Sequence, residues 1–147
     1  MDFSDDHALT EKIIGCAMKV HRQLGPGFLE SVYRNALAFE LRRAGLAVEV
    51  EKHITVKYEH VIVGDFIADL VVQEALICEL KAGSALSKAD EVQLVNYLTA
   101  TNHDIGLLLN FGAESLQFRR KHRRKLSQPE DVDLQNPVNP LNPVNPV

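Results

Sequence analysis

The sequence predicts a mixed β-sheet with helices packed on it, an α/β or α+β sandwich. Two amphipathic helical stretches open the chain, a run of alternating and β-branched residues follows, and a third helical stretch separates that run from two more strand-like segments. Elements interleaved in this way bury their apolar faces by layering on one another.

Leu9, Ile13, Ile14, Ala17, Met18, His21 and Leu24 recur at helical spacing and predict an amphipathic helix over 9–24. Gly25-Pro26-Gly27 stops it, since glycine suits a C-terminal cap and proline cannot continue the ladder. In a second helix Val32, Ala36, Phe39, Glu40 and Leu41 keep the period, and Gly45 ends it after Arg42 and Arg43, whose charges suit a helix C-terminus. From Ala47 to Ile67 alternation replaces that period and predicts strands that meander into a hairpin. A polar linker over 84–88 leads to a third helix, started by Ser87 with Asp90 or Glu91 nearby and carrying Val92, Leu94, Val95 and Leu98. Asn102, His103 and Asp104 end it. IGLLLNFG at 105–112 reads as an interior strand covered on both faces, and a last short strand over 116–120 runs into a basic segment.

The chemistry concentrates in DFIADLVVQEALICELK at 65–81, two apolar runs that meet at Gln73, Glu74 and Ala75. A hairpin centred on Glu74 sets Asp69 opposite Glu79, about 5 Å apart at Cβ. Alternation then gives Ile67, Asp69 and Val71 the same face as Ile77, Glu79 and Lys81, with Leu70, Val72, Leu76, Cys78 and Leu80 on the other. Charges inside apolar strands are paired or hold a metal. Two facing carboxylates repel unless a hard divalent cation such as Mg²⁺ sits between them, and Lys81 could then orient or deprotonate a water on it. The competing interpretation is an edge hairpin in which Lys81 neutralises one acid in a half-exposed salt bridge.

At 147 residues the chain makes one domain, predicted over 1–126. Residues 127–147 form a tail that is predicted to be disordered, because its four Asn-Pro-Val or Asn-Pro-Leu triplets remove backbone donors and offer little apolar area. The acidic start, MDFSDDHALTEK, does not resemble a secretory signal, and no apolar run is long enough to span a membrane, so a cytoplasmic location is expected. Cys16 and Cys78 fall at apolar positions and are expected to stay reduced. The net charge of −4 argues against a protein that coats nucleic acid, yet RRKHRRK at 119–125 holds six Lys or Arg, so the remainder carries −4 − 6 = −10. The six histidines lack paired metal-ligand spacing. GxGxxG, the phosphate-loop lysine signature, CxxC and GxSxG are missing, which removes dinucleotide, P-loop, zinc-ribbon and serine-hydrolase chemistry.

Glu30 opens the second helix, where an acid suits the helix dipole or could line a metal site, and Tyr33 shares its face. Gln93 and Tyr97, four residues apart on the third helix, lie on one side of it, either solvated or in contact with substrate phosphate or the lysine. Arg119, Arg120 and Lys121 are a solvated strand end or a grip on a nucleic-acid backbone, where cations gain affinity by releasing counterions.

Gly27-Phe28-Leu29-Glu30-Ser31-Val32-Tyr33 fits the pattern GxxExxY. Together with ADLVV, ELKA, QLVNYL and GLLLNFG it closely resembles the GxxExxY protein family, placed in the PD-(D/E)XK nuclease superfamily, over about 9–120. The resemblance implies a restriction-endonuclease-like core, a central mixed sheet flanked by helices. It implies that Asp69 is the acid of the first catalytic strand, that Glu79-Leu80-Lys81 is the acid-x-lysine of the next, and that Glu30 is the helical acid completing the site. Gln93 and Tyr97 match the glutamine and tyrosine of the following helix. The proline that gives the superfamily its name is replaced by Ala68, a position that contributes no ligand.

The sequence thus predicts phosphodiester hydrolysis of nucleic acid, DNA in particular, with Mg²⁺ or Mn²⁺ held by Asp69, Glu79, Glu30 and the Leu80 carbonyl. Lys81 would serve the attacking water, Gln93 and Tyr97 would shape the site, and Arg119, Arg120 and Lys121 would contact substrate. A nuclease-like module that binds nucleic acid or protein without cutting is the alternative, and a homodimer is compatible with either.

Overall fold

The computed structural model describes residues 6–125. Helices α1 (Asp6–Leu24) and α2 (Glu30–Arg43) precede strands β1 (Val48–Tyr58), β2 (Val61–Val72) and β3 (Leu76–Lys81); α3 (Lys88–Thr101), β4 (Ile105–Asn110) and β5 (Gln117–His122) complete the order expected from the sequence. The proposed tail lies outside the described residues.

The strands form one sheet in the order β1-β2-β3-β4-β5. Only β3 and β4 pair in parallel, because α3 carries the chain back across the sheet between them; the other pairs are antiparallel. Helices α1 and α2 cover one face, where Leu9, Ile13, Leu37 and Leu41 meet Leu70, Cys78, Leu80 and Leu107. Helix α3 covers the other, where Leu94 and Leu98 meet Val71, Ile77 and Leu108. The sheet is therefore apolar on both sides at its centre, which is why β4 reads as unbroken IGLLL and is buried throughout. Gly106 lets α3 seat closely, since a Cβ there would lie 3.1 Å from Leu94 Cδ1 and from the Ile77 carbonyl oxygen.

The turn between α1 and α2 is held by Tyr33, whose hydroxyl donates to the Gly25 carbonyl at 2.5 Å and accepts from the Phe28 amide at 3.1 Å while its ring stacks on Phe111. Tyr33 is fully buried. Its visible work is to staple this turn.

The central hairpin has the register the sequence predicts: Leu70 pairs with Cys78, Val71 with Ile77 and Val72 with Leu76. Gln73 and Glu74 both take left-handed φ, as tight hairpin turns require. Simple alternation fails further up β2. Leu70 and Val72 belong to the cluster under α1 and α2, whereas Phe66 and Ala68, of the same parity, belong to the cluster under α3. β1 does likewise, with Val48 and Val50 in the first cluster and Ile54 in the second. Both strands roll over between the pairs Val50–Leu70 and Lys52–Ala68, where Glu51 has φ 52° and faces Asp69. Ile67, expected on the face of Val71, is for this reason turned outward and 47% exposed.

Candidate active site

The β2–β3 ladder stops at Leu70–Cys78, and the next residues outward are Asp69 and Glu79. In place of further backbone pairing, Asp69 Oδ2 accepts from the Leu80 amide at 2.8 Å and Glu79 Oε2 accepts from the Asp69 amide at 3.2 Å. The two carboxylates are wedged where the strands part. An acid on a central strand leaves the ladder's amides seeking acceptors, and here the side chains supply them.

Burial, and next the negative charge of Asp69, pushes the Glu79 carboxyl up to about 8, against the pull of the Asp69 amide and Lys81. Near neutral pH Glu79 tends to keep its proton. The neighbouring Cys78 thiol is fully buried and pushed up by burial, then by Glu79 and Asp69, so it is inert.

Lys81, third in the acid-x-lysine run, has Nζ 3.8 Å from Asp90 Oδ1. Asp90 sits in a reciprocal cap of α3: its amide donates to Ser87 Oγ at 3.0 Å and its Oδ2 accepts from the Ser87 amide at 3.1 Å. The Ser87 amide first, then Lys81, holds the Asp90 carboxyl below its ordinary range. Asp90, read from the sequence only as a helix start, is therefore also the lysine's counter-ion.

The connection that follows Lys81 is fixed by buried Asn110. Its Nδ2 donates to the Gly83 carbonyl at 3.0 Å and to Gln117 Oε1 at 2.9 Å, while its Oδ1 accepts from the Gly83 and Gly112 amides at 3.0 and 3.1 Å. A lone polar residue inside GLLLNFG was the available signal. Gly112 is obligatory beside it, for a Cβ there would lie 2.3 Å from the Gly83 carbonyl oxygen.

Gln93 Nε2 lies 3.4 Å from the Tyr97 hydroxyl, and Tyr97 stacks on Phe66 of β2 at 3.7 Å between centroids. Glu30 is exposed at the start of α2. Among the described residues no three His, Cys, Asp or Glu side chains gather closely enough to hold a metal ion, so Asp69 and Glu79 meet without Glu30 as a third. One turn beyond Glu30, Arg34 reaches Glu51 at 3.4 Å, on the β1 kink facing Asp69. The Leu80 side chain is buried in the core and its amide is engaged by Asp69.

The basic strand divides between faces. Arg119 and Lys121 turn toward α3 and pair with Glu91 at 3.9 and 3.1 Å, whereas Arg120 turns to α1 and pairs with Glu11 and Thr10. Arg119 and Lys121 thus share the face on which Lys81 meets α3, and Arg120 does not.

Two facing carboxylates, one unwilling to ionise beside the other, fit a hard divalent cation, since its charge would relieve their repulsion. Among the described residues no helix is long and apolar enough to cross a membrane.

No curated protein and no solved structure matches the chain. The sequence model of the PD-(D/E)XK nuclease superfamily matches residues 7–124, from the first turn of α1 to just past β5. That span holds both acids, the lysine and the mixed sheet that carries them, and the chain belongs to the PD-(D/E)XK nuclease superfamily.

Proposed function

We propose that the chain is a Mg²⁺- or Mn²⁺-dependent nuclease that hydrolyses phosphodiester bonds of DNA. The observation that carries this reading is the interlocked pair Asp69–Glu79 at the parting of β2 and β3, with Lys81 next on the same strand. Asp69 and Glu79 would hold the cation, helped by the Leu80 carbonyl and by Glu30 if α2 shifts toward them. Bound there, the cation would polarise the scissile phosphate and stabilise the leaving oxygen. Lys81 orients the attacking water, and Asp90 limits where its ammonium can go. Gln93 and Tyr97 shape the wall beside the site, and Arg119 and Lys121 meet the substrate backbone. A cytoplasmic setting agrees with the free thiols of Cys16 and Cys78.

A second reading, a nuclease-like module that binds without cutting, is favoured by two observations: Lys81 is engaged by Asp90, and among the described residues no third His, Cys, Asp or Glu joins the two acids. Incubating the chain with DNA and Mg²⁺ or Mn²⁺, beside Asp69→Ala and Lys81→Ala, separates the two. The nuclease cuts only as wild type. Equal cutting in all three means contamination, and DNA binding indifferent to EDTA with no cutting leaves the module.

A further inference from the structure

Between α3 and β5 a cleft of about 160 Å³ is lined by Lys88, Glu91, Val92, Val95, Lys121 and Arg124. Arg119 reaches the same Glu91 at 3.9 Å. Lys88, Lys121 and Arg119 act on the Glu91 carboxylate and Arg124 completes the lining, so four cations meet one acid, 4 − 1 = +3, in a chain whose net charge is −4. Lys121 pairs with Glu91 at 3.1 Å, while the Arg124 guanidinium donates to the neutral Asn96 at 2.8 Å. A concave site with an uncompensated cationic surplus and partly apolar walls concentrates field on an anion.

The cleft also has a fixed position relative to the acids. Its β5 residue Lys121 pairs with Gly106 and Gly106 with Ile77, so the cleft lies two strands across the sheet from β3, one row of same-face residues from Glu79. Two strand spacings are roughly 9.6 Å.

We propose that the α3–β5 cleft is a phosphate subsite, in which Lys88, Lys121 and Arg124, with Arg119, hold a backbone phosphate of the nucleic-acid strand close to the one at Asp69 and Glu79. Glu91 is the internal counter-ion that keeps the cations gathered and competes with the incoming phosphate. The inference rests on the nucleic-acid reading above and adds to it Lys88, Arg124 and the cleft that gathers them.

The test measures binding of the full chain to labelled single- and double-stranded DNA oligonucleotides in EDTA, across a salt series, beside a metal-dependent cleavage assay. Lys88→Ala with Arg124→Ala keeps the Glu91–Lys121 pair and so spares the fold. Each cation removed from a phosphate makes the slope of log K against log salt less negative by about 1. The double variant should therefore lose between about 1 and 2 of slope and raise KM for cleavage with kcat unchanged, and Glu91→Gln should bind several-fold tighter. Should the double variant fold poorly, Lys88→Glu at the exposed first position of α3 must weaken binding in the same sense. Unchanged slope and affinity with wild-type cleavage intact overturn the subsite and leave the hydrolytic reading standing. A reduced slope with no cleavage by wild type keeps the subsite and overturns hydrolysis, and wild type that does not bind DNA at all overturns both.

Discussion

Asp69 and Glu79 are locked to each other's strands: the Glu79 carboxylate takes the amide of Asp69, and the Asp69 carboxylate takes the amide just after Glu79. Two acids are thus held close in a place where both cannot ionise freely.

Stability in chelator should depend on pH through Glu79. Its carboxyl titrates near 8 in the folded chain against an ordinary 4.5. The folded state binds the proton more tightly, so this stabilisation is complete below about 4.5 and is lost as pH rises toward 8. The loss is on the order of a few kcal/mol. Thermal midpoints in EDTA should fall across that window for wild type and stay flatter for Glu79→Gln, which should be the more stable at pH 8. A midpoint that rises over the window in wild type contradicts the burial of this acid.

A divalent cation should reverse that loss. At about 100 times its Kd a ligand that binds only the folded chain adds about 2.7 kcal/mol. Mn²⁺ at pH 8 should raise the wild-type midpoint and leave Asp69→Ala unmoved. An equal rise in both would place the ion elsewhere.

Asp90 both caps the start of α3 and pairs with Lys81. Asp90→Ala should cost about 1 kcal/mol by opening the cap, as should Ser87→Ala, and the double variant should cost less than the sum. Urea unfolding of the three variants measures this. Additive losses would mean that Ser87 and Asp90 act separately.

The connection behind Lys81 should be intolerant of small changes. Gly112→Ala drives a Cβ to 2.3 Å from the Gly83 carbonyl oxygen, whereas the same change at Gly83 meets nothing within 4 Å. The first should destabilise by about 2 kcal/mol or more and the second far less. Asn110→Ala strips partners from the Gly83 and Gly112 amides and should cost about as much as the first. Calorimetry that ranks Gly83→Ala with Gly112→Ala would contradict the close approach.

Much of this arrangement was legible in the sequence because local signals agree with the global layering. Helical period, Gly-Pro-Gly and the Ser87 cap set the helices, and the turn at Glu74 set the register that places Asp69 beside Glu79. What was hidden depends on contacts between distant residues. The roll of β1 and β2 at Glu51 and Asp69, which turns Ile67 outward, follows from a left-handed residue that no turn signal marks. The pairing of Lys81 with Asp90 and the hold of Asn110 on Gly83 join segments separated in the chain, and alternation along β5 could not say which face Arg120 takes.

The most direct measurement is cleavage of DNA by the purified chain with Mn²⁺, with wild type, Asp69→Ala, Glu79→Gln and Lys81→Ala prepared alike. Wild type should show metal-dependent cutting that EDTA abolishes and that each substitution reduces by at least about 10²-fold. Cutting that survives in the Asp69 and Glu79 variants, or a wild type that binds Mn²⁺ through Asp69 and never cuts, would contradict the hydrolytic reading.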